Sequence, residues 1–172
     1  LYLFYCPEVF DILYPDDRTH EGHGREHRFL QETFFAECVY ELFKNMNLVP
    51  DILHLNEGHV ADAAAIIKGD NTFDKTAVVY TNHTVVSAGL ERFSIDRLTG
   101  GDIARARYAM RFTWPSHKRF WRKFSAQQDG RWFIDFPKGA VEICDAANGV
   151  SEEHADATQA LFPAYDRKVE SI

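Results

Sequence analysis

The organisation of this chain follows from two short stretches, Leu55-Asn56-Glu57-Gly58-His59 and Tyr80-Thr81-Asn82-His83-Thr84. Each places polar and ionisable side chains directly after an apolar run, at 51–55 in the first case and 77–80 in the second. Short apolar runs without a helical period are typical of strands that are covered on both faces of a parallel sheet. Because such sheets bind ligands beyond the carboxyl ends of their strands, the two stretches predict a functional site at one sheet edge.

The segments around these stretches alternate between helix and strand patterns. Apolar residues recur at steps of three and four over 26–46, which predicts a long helix with one apolar face. A strand over 51–55, an alanine-rich helix over 59–67 and a strand over 77–81 follow it. Short links between these elements predict parallel pairing through right-handed crossovers. We therefore expect an α/β fold, a Rossmann-like and mostly parallel sheet flanked by helices.

The remaining segments have weaker helix and strand patterns. We expect residues 1–172 as a whole to form a single domain. The sequence predicts strands over about 1–6 and 169–172, a turn-rich loop over 14–24, helices over 102–110, 115–125, 137–147 and 152–162, and a turn over 127–130. Both ends read as interrupted strands, which indicates a piece of a longer polypeptide.

Composition excludes several classes of protein. The chain is 45% hydrophobic and 14% aromatic, which is too apolar for a disordered segment. Its net charge of −7 and the scarcity of basic runs outside 117–123 argue against nucleic acid as a partner. No apolar run reaches the ~20 residues of a membrane span. Three cysteines without CxxC spacing favour a reducing cytoplasm.

The aromatic segment 108–124 would expose an apolar patch without a neighbour, so a homodimer is one expectation.

Three local patterns have both a functional and a plain interpretation. His23-x-x-Glu26-His27 matches a motif of some zinc peptidases, but flanking glycines and the lack of a third ligand favour an exposed helix start without metal. The basic residues at 117–123 favour a solvated helix face over an anion site. Asp16 and Asp17 are either a carboxylate pair that acts on a glycoside or part of a turn, and the spacing leaves both open.

The run Glu57-Gly58-His59 is a stronger indication of function. A glycine between two ionisable residues at a strand-to-helix junction lets the backbone approach a ligand. His59 would then open a helix, whose amide end favours electron-rich groups. For His59 and His83 alike, the alternative is a buried imidazole that hydrogen-bonds a backbone carbonyl.

Four blocks, taken in order, resemble the α-glucan phosphorylase family, which comprises the glycogen, starch and maltodextrin phosphorylases. They are Leu13-Tyr14-Pro15-Asp16-Asp17 with Arg28-x-x-Gln31-Glu32, then Leu55-Asn56-Glu57-Gly58-His59, then Tyr80-Thr81-Asn82-His83-Thr84 with Leu90-Glu91-Arg92-Phe93, and finally Asn148-Gly149-Val150-Ser151 with His154. The resemblance covers roughly 12–93 and 140–172. It implies one lobe of a two-lobed GT-B glycosyltransferase, here the amino-terminal, glucan-binding lobe.

The resemblance also implies roles for individual residues. His83 and Glu57 match the catalytic site, with the main-chain carbonyl of His83 favouring positive charge at the anomeric carbon. The residues implied in substrate binding are Asn56, His59, Asn82, Thr84, Asp16 and Asp17, the last two within a mobile gate loop. The expected partners are an α-glucan or maltodextrin and phosphate. Pyridoxal phosphate and the phosphate site belong to the family's second domain, so this chain alone should be inactive and bind no cofactor.

Departures from the family pattern keep other functions open. Arg18 replaces an asparagine common in the gate, Glu57 replaces a common aspartate, and the segment 94–139 matches poorly. The first hypothesis is half of a phosphorylase that yields glucose 1-phosphate. The second is a non-catalytic carbohydrate-binding or regulatory domain. The third is a glucan synthase that uses a nucleotide sugar.

Overall fold

The computed structural model of the chain describes residues 4, 6–12, 15, 23–86, 90–99, 122–163 and 165–172. The strands of this part are β1 (Ile52–Asn56), β2 (Ala77–Asn82), β3 (Arg92–Ser94), β4 (Ser125–Gln128), β5 (Arg131–Asp135), β6 (Ala146–Gly149) and β7 (Glu170–Ser171). Its α-helices are α1 (Gly24–Asn45), α2 (Ala61–Gly69), α3 (Ile95–Thr99), α4 (Phe136–Ile143) and α5 (Glu152–Leu161), and 3-10 turns cover Gly58–Val60 and Asn71–Phe73.

Four strands form a parallel sheet in the order β1-β2-β6-β7. Helices α2 and α5 are the crossovers from β1 to β2 and from β6 to β7. The register pairs Asn56 with Thr81 and Asn82 with Gly149, so β1, β2 and β6 end at the same edge. The mostly parallel α/β fold that the sequence predicts is therefore confirmed.

A second, antiparallel sheet of three strands was not predicted. Its order is β3-β5-β4, and the turn at Asp129-Gly130 joins β4 to β5. Both turn residues have positive φ, 50° and 75°, as tight hairpin turns require. The predicted turn over 127–130 is thus confirmed in its last two residues, but Gln127 and Gln128 belong to β4. The predicted helix over 115–125 is wrong at its end, because β4 begins at Ser125.

Aromatic side chains join the two sheets and their helices in one core. Phe93 of β3 lies 5.2 Å from Phe29 of α1 and 5.4 Å from Phe136 of α4, measured between ring centroids. Phe124 packs edge-on against Phe136 at 6.0 Å. Alanines make up much of the inner side of α2, which lets it lie close to the sheet. In the described part of the chain, no helix is long and apolar enough to cross a membrane.

The other predicted elements are confirmed with one further correction. Helices α1, α2 and α5 and strands β1, β2 and β7 lie where the sequence predicts them, within about two residues at each end. The helix predicted over 137–147 ends at Ile143, and Ala146–Gly149 form β6 instead. Asp145 redirects the chain, since its carboxylate accepts a hydrogen bond from Val78 N at 2.7 Å. The predicted strand at 1–6 and helix at 102–110 lie outside the described elements.

Candidate functional site

The polar stretches that follow β1 and β2 meet at the carboxyl edge of the parallel sheet. His83 Nε2 lies 2.8 Å from Asn56 Oδ1, which links the two strand ends through side chains. Both residues are exposed. The edge therefore presents an imidazole and an amide to solvent, as the sequence predicts for this end of an α/β sheet.

Glu57 connects the same two loops through backbone groups. Its carboxylate oxygen Oε1 accepts hydrogen bonds from the backbone N–H of His83 and from that of Thr84, the latter at 2.8 Å. Its own N–H donates to Thr81 O at 3.0 Å. The backbone of Glu57 has φ 80° and ψ 165°. Glu57 thus holds the loop after β2 against the end of β1.

Asn82 supports this loop from inside the protein. The side chain is fully buried, and its amide nitrogen donates to Thr158 Oγ1 of α5 at 2.8 Å. Its carbonyl oxygen accepts from Tyr80 Oη at 3.2 Å and from Thr84 N at 3.3 Å. The resemblance to the phosphorylase family implied that Asn82 binds substrate. The structure instead gives it a supporting position, because a side chain with no exposed surface has no face for a ligand.

His59 lies in the 3-10 turn that follows Glu57 and is half-buried. Burial lowers the pKa of His59, Arg28 lowers it further, and Glu91 and Glu57 act in the opposite direction. The imidazole is therefore mainly neutral at pH 7 and can both donate and accept hydrogen bonds. Gly58 beside it is buried, and a Cβ there would lie 2.5 Å from Pro137 Cγ. Close packing against Pro137, rather than a ligand, explains this glycine.

A third loop at the same edge follows β6 and begins α5. Ser151 caps the helix, because its hydroxyl accepts a hydrogen bond from His154 N at 3.3 Å. Ser151 Oγ also lies 3.1 Å from His154 Nδ1. Gly149 packs directly against the first turn of α5, where an added Cβ would lie 2.4 Å from Ala155 N.

A buried charged network that the sequence did not predict lies close to His59. Arg28 Nε is 2.7 Å from Glu32 Oε1, close enough for an ion pair but outside hydrogen-bond alignment. Arg28 Nη2 is 3.5 Å from Glu91 Oε1, and Arg25 Nη1 is 3.3 Å from Glu91 Oε2. Glu32 is only 3% exposed. The blocks that resemble the family contain Arg28, Glu32 and Glu91, but nothing in the helical period of α1 indicates that a glutamate faces the core.

We expect Glu32→Gln to flatten the pH dependence of stability. Burial raises the pKa of Glu32 well above its ordinary 4.5, and the nearby Glu91 carboxylate raises it further, whereas Arg28 and Arg25 oppose the shift. The contribution of Glu32 to stability is therefore greatest below pH 4.5 and is lost as the pH rises through its folded-state pKa. Glutamine cannot ionise, so the variant should gain stability relative to wild type between pH 4.5 and 8. Urea midpoints that run parallel over this range would contradict the prediction.

The predicted gate loop lies largely outside the described residues, which include neither Asp16 nor Asp17. The segment before it is anchored on α1. Gln31, only 2% exposed, donates from Nε2 to Val9 O at 2.9 Å and to Ile12 O at 2.7 Å. The role of the two aspartates stays a prediction.

The zinc pattern does not assemble. Glu26 pairs with Arg97 at 2.7 Å, and His27 Nε2 contacts Val9 O at 2.9 Å and Asp11 Oδ1 at 3.0 Å. Within the residues that the structure describes, no group of three or more His, Cys, Asp or Glu side chains is placed to hold a metal ion. Of the basic stretch at 117–123, only the last two residues are described.

Three comparisons with known proteins bear on this arrangement. A family model described as the starch synthase catalytic domain matches residues 1–168. The catalytic domain of starch synthase IV from Arabidopsis thaliana, solved with ADP and acarbose, superposes with a TM-score of 0.58 at 17% identity. That alignment covers 84% of this chain and 29% of the other, and it supports the GT-B fold.

Curated relatives named glycogen phosphorylase, from Mycobacterium tuberculosis and Mycobacterium bovis, are each 26% identical to this chain. The alignments cover 88% of the chain but only 20% of each relative, so the chain spans about a fifth of their length. These relatives confirm the resemblance to α-glucan phosphorylases. With its parallel sheet and its polar carboxyl edge, the chain belongs to the starch synthase catalytic domain family of GT-B glycosyltransferases and is related to the glycogen phosphorylases.

Proposed function

We propose that this chain supplies the glucosyl-binding half of an α-1,4-glucan phosphorylase. The intact protein would transfer a glucosyl unit from a glucan or maltodextrin to inorganic phosphate and release glucose 1-phosphate. The observation that carries the proposal is the hydrogen bonding of Glu57 to the backbone of His83 and Thr84 at the sheet edge. The relatives named glycogen phosphorylase support this assignment.

The chemistry proposed for this edge is electrostatic. Glucosyl transfer passes through a state with positive charge near the anomeric carbon, and a fixed carbonyl dipole stabilises such charge where water is excluded. A loop held at both ends keeps the carbonyl of His83 in one orientation, so little reorganisation accompanies the reaction. Neutral His59 and exposed Asn56 would bind sugar hydroxyl groups as hydrogen-bond donors and acceptors.

The edge residues do not fit pyridoxal phosphate by themselves. Asn56, Glu57, His59, His83 and Thr84 include no lysine that would form its Schiff base. In the proposed enzyme, the cofactor and the basic groups for inorganic phosphate are therefore supplied by another part of the polypeptide. This chain contributes the sugar side of the site.

A glucan synthase that uses a nucleotide sugar is the second candidate. The family model that matches residues 1–168 is described as a starch synthase catalytic domain, which favours a nucleotide-sugar donor. The starch synthase IV domain of similar fold was solved bound to ADP and acarbose. Both reactions transfer glucosyl units at a glucan end, so the sheet edge of this chain would serve either one.

An assay of the intact protein separates these functions. We expect maltoheptaose and inorganic phosphate to yield glucose 1-phosphate, and glucose 1-phosphate to elongate a maltodextrin primer with release of phosphate. Elongation from ADP-glucose or UDP-glucose alone would replace the phosphorylase proposal with the synthase. Binding of maltoheptaose without turnover of any donor would identify a non-catalytic carbohydrate-binding domain.

A further inference from the structure

Glu57 has a backbone conformation that is unusual for its residue type. Its φ of 80° and ψ of 165° lie in a region populated almost only by glycine. A residue with a side chain costs about 1–3 kcal/mol in such a region and persists only when its surroundings hold it there. Glycine at this position would remove the cost, so the glutamate side chain must provide something that glycine lacks.

The side chain provides two hydrogen bonds to the neighbouring loop. One carboxylate oxygen accepts from the consecutive backbone N–H groups of His83 and Thr84. The backbone N–H of Glu57 donates to Thr81 O, just before the same loop. On the inner side, buried Asn82 accepts from Thr84 N as well. The peptide units at 83–84 are therefore held from two sides.

We propose that Glu57 is a positioning residue that fixes the peptide units of His83 and Thr84 in the orientation used for glucosyl transfer. The proposal rests on the function proposed above. A carboxylate that accepts two backbone N–H groups is oriented by the protein and does not need to exchange a proton with the substrate. With the backbone of Glu57 at φ 80° and ψ 165°, its carboxylate reaches the loop after β2.

Two variants test this role in the intact protein. Glu57→Gly relieves the backbone cost but removes both hydrogen bonds, so we expect kcat to fall about 30-fold while KM for maltodextrin changes less than about threefold. Glu57→Gln keeps a side-chain oxygen that accepts from the same N–H groups, so kcat should stay within about fivefold of wild type. Glu153→Gln removes an exposed carboxylate near the same edge and serves as the matched control.

A second readout does not depend on activity. Amide hydrogen exchange at His83 and Thr84 should be at least about tenfold faster in Glu57→Gly than in wild type, with Glu57→Gln and Glu153→Gln close to wild type. Unchanged exchange in the glycine variant would overturn the proposal. Equal loss of kcat in the glycine and glutamine variants would overturn it too, because the charge rather than the hydrogen bonds would then matter.

The two proposals fail in distinguishable ways. An intact protein that transfers glucose only from nucleotide sugars removes the phosphorylase, and the same variants then test Glu57 on that reaction. Fast exchange in Glu57→Gly with an unchanged kcat would show that the loop orientation is irrelevant to transfer, which overturns the role of Glu57 and leaves the phosphorylase intact.

Discussion

Arg28→Met is expected to lower the free energy of unfolding by about 3 kcal/mol at pH 7, because removing one partner of a buried ion pair leaves the other charge uncompensated. Arg28 is 13% exposed in its side chain and lies 2.7 Å from Glu32, which is 3% exposed. Without the guanidinium of Arg28, the carboxylates of Glu32 and Glu91 repel each other, and Arg25 is the cation that remains beside Glu91 among the described ion pairs. Methionine fills similar space, so loss of packing contributes little.

The loss of stability in Arg28→Met should depend on pH, because it arises from the uncompensated negative charge of Glu32. Arg28 lowers the pKa of Glu32 against the effects of burial and Glu91. In the variant, the pKa of Glu32 is higher still, so Glu32 takes up a proton more readily as the pH falls, and a neutral carboxyl group no longer requires a cation. We therefore expect the difference between variant and wild type to shrink from pH 7 to pH 4.5. Urea unfolding at the two pH values measures it.

Lys168→Met is the matched control for the same loss of a cation. Lys168 and Glu170 form a pair at 3.0 Å, but their side chains are 78% and 64% exposed. Exposed pairs contribute little, so this variant should change stability by no more than about 0.5 kcal/mol. A loss in Arg28→Met below about 1 kcal/mol, or one that does not vary with pH, would show that the network is solvated and unimportant.

The sequence predicts the ends of β1 and β2 correctly because each end is marked by a local change from apolar to polar residues. Each apolar run ends where polar residues begin, and parallel pairing then brings Asn56, Glu57 and His83 to one edge without further information. The contacts Asn56–His83 and Glu57–Thr84 are the direct consequence. Residue types and their spacing were therefore enough to predict that these side chains meet at one edge of the sheet.

The conformation at Glu57 could not be predicted in this way. A sequence Glu-Gly places positive φ at the glycine by default, since glycine alone adopts it without cost. In the structure Glu57 has the positive φ, and Gly58 is needed because Pro137 occupies the space beside it. That contact joins residues 79 positions apart, and no local pattern contains it.

Long-range contacts also explain the other errors. Ala146 and Ala147 are good helix formers, so propensity extends the predicted helix through them. Pairing with β2 and the hydrogen bonds of Asp145 to Val78 override that propensity and produce β6. Gln31 and Glu32 read as the polar side of α1, but both are buried. Gln31 donates to backbone carbonyls of Val9 and Ile12, and Glu91 lies close to the pair that Glu32 forms with Arg28 of the same helix. Burial of polar residues depends on partners that a helical period does not show.

The other large loss of stability is expected at Gly149, where β6 meets α5. Gly149→Ala should lower the free energy of unfolding by about 3 kcal/mol, at the upper end of the usual cost of overpacking. The new Cβ would lie 2.4 Å from Ala155 N and 2.6 Å from His154 C. These are backbone atoms, so no side-chain rotation relieves the clash, and α5 has to move away from the sheet. That movement also strains the buried hydrogen bond between Asn82 and Thr158.

Gly130→Ala separates this steric effect from the conformational cost of replacing a glycine. Gly130 has φ 75° in the β4–β5 turn, but nothing lies within 4 Å of a Cβ built there. Its replacement should cost only about 1 kcal/mol, the strain of an alanine in the left-handed region. Urea unfolding of both variants measures the difference. If Gly149→Ala is no more destabilised than Gly130→Ala, α5 is free to shift. The third loop of the sheet edge would then not be fixed by packing, and only the loops after β1 and β2 would hold a defined geometry for the sugar.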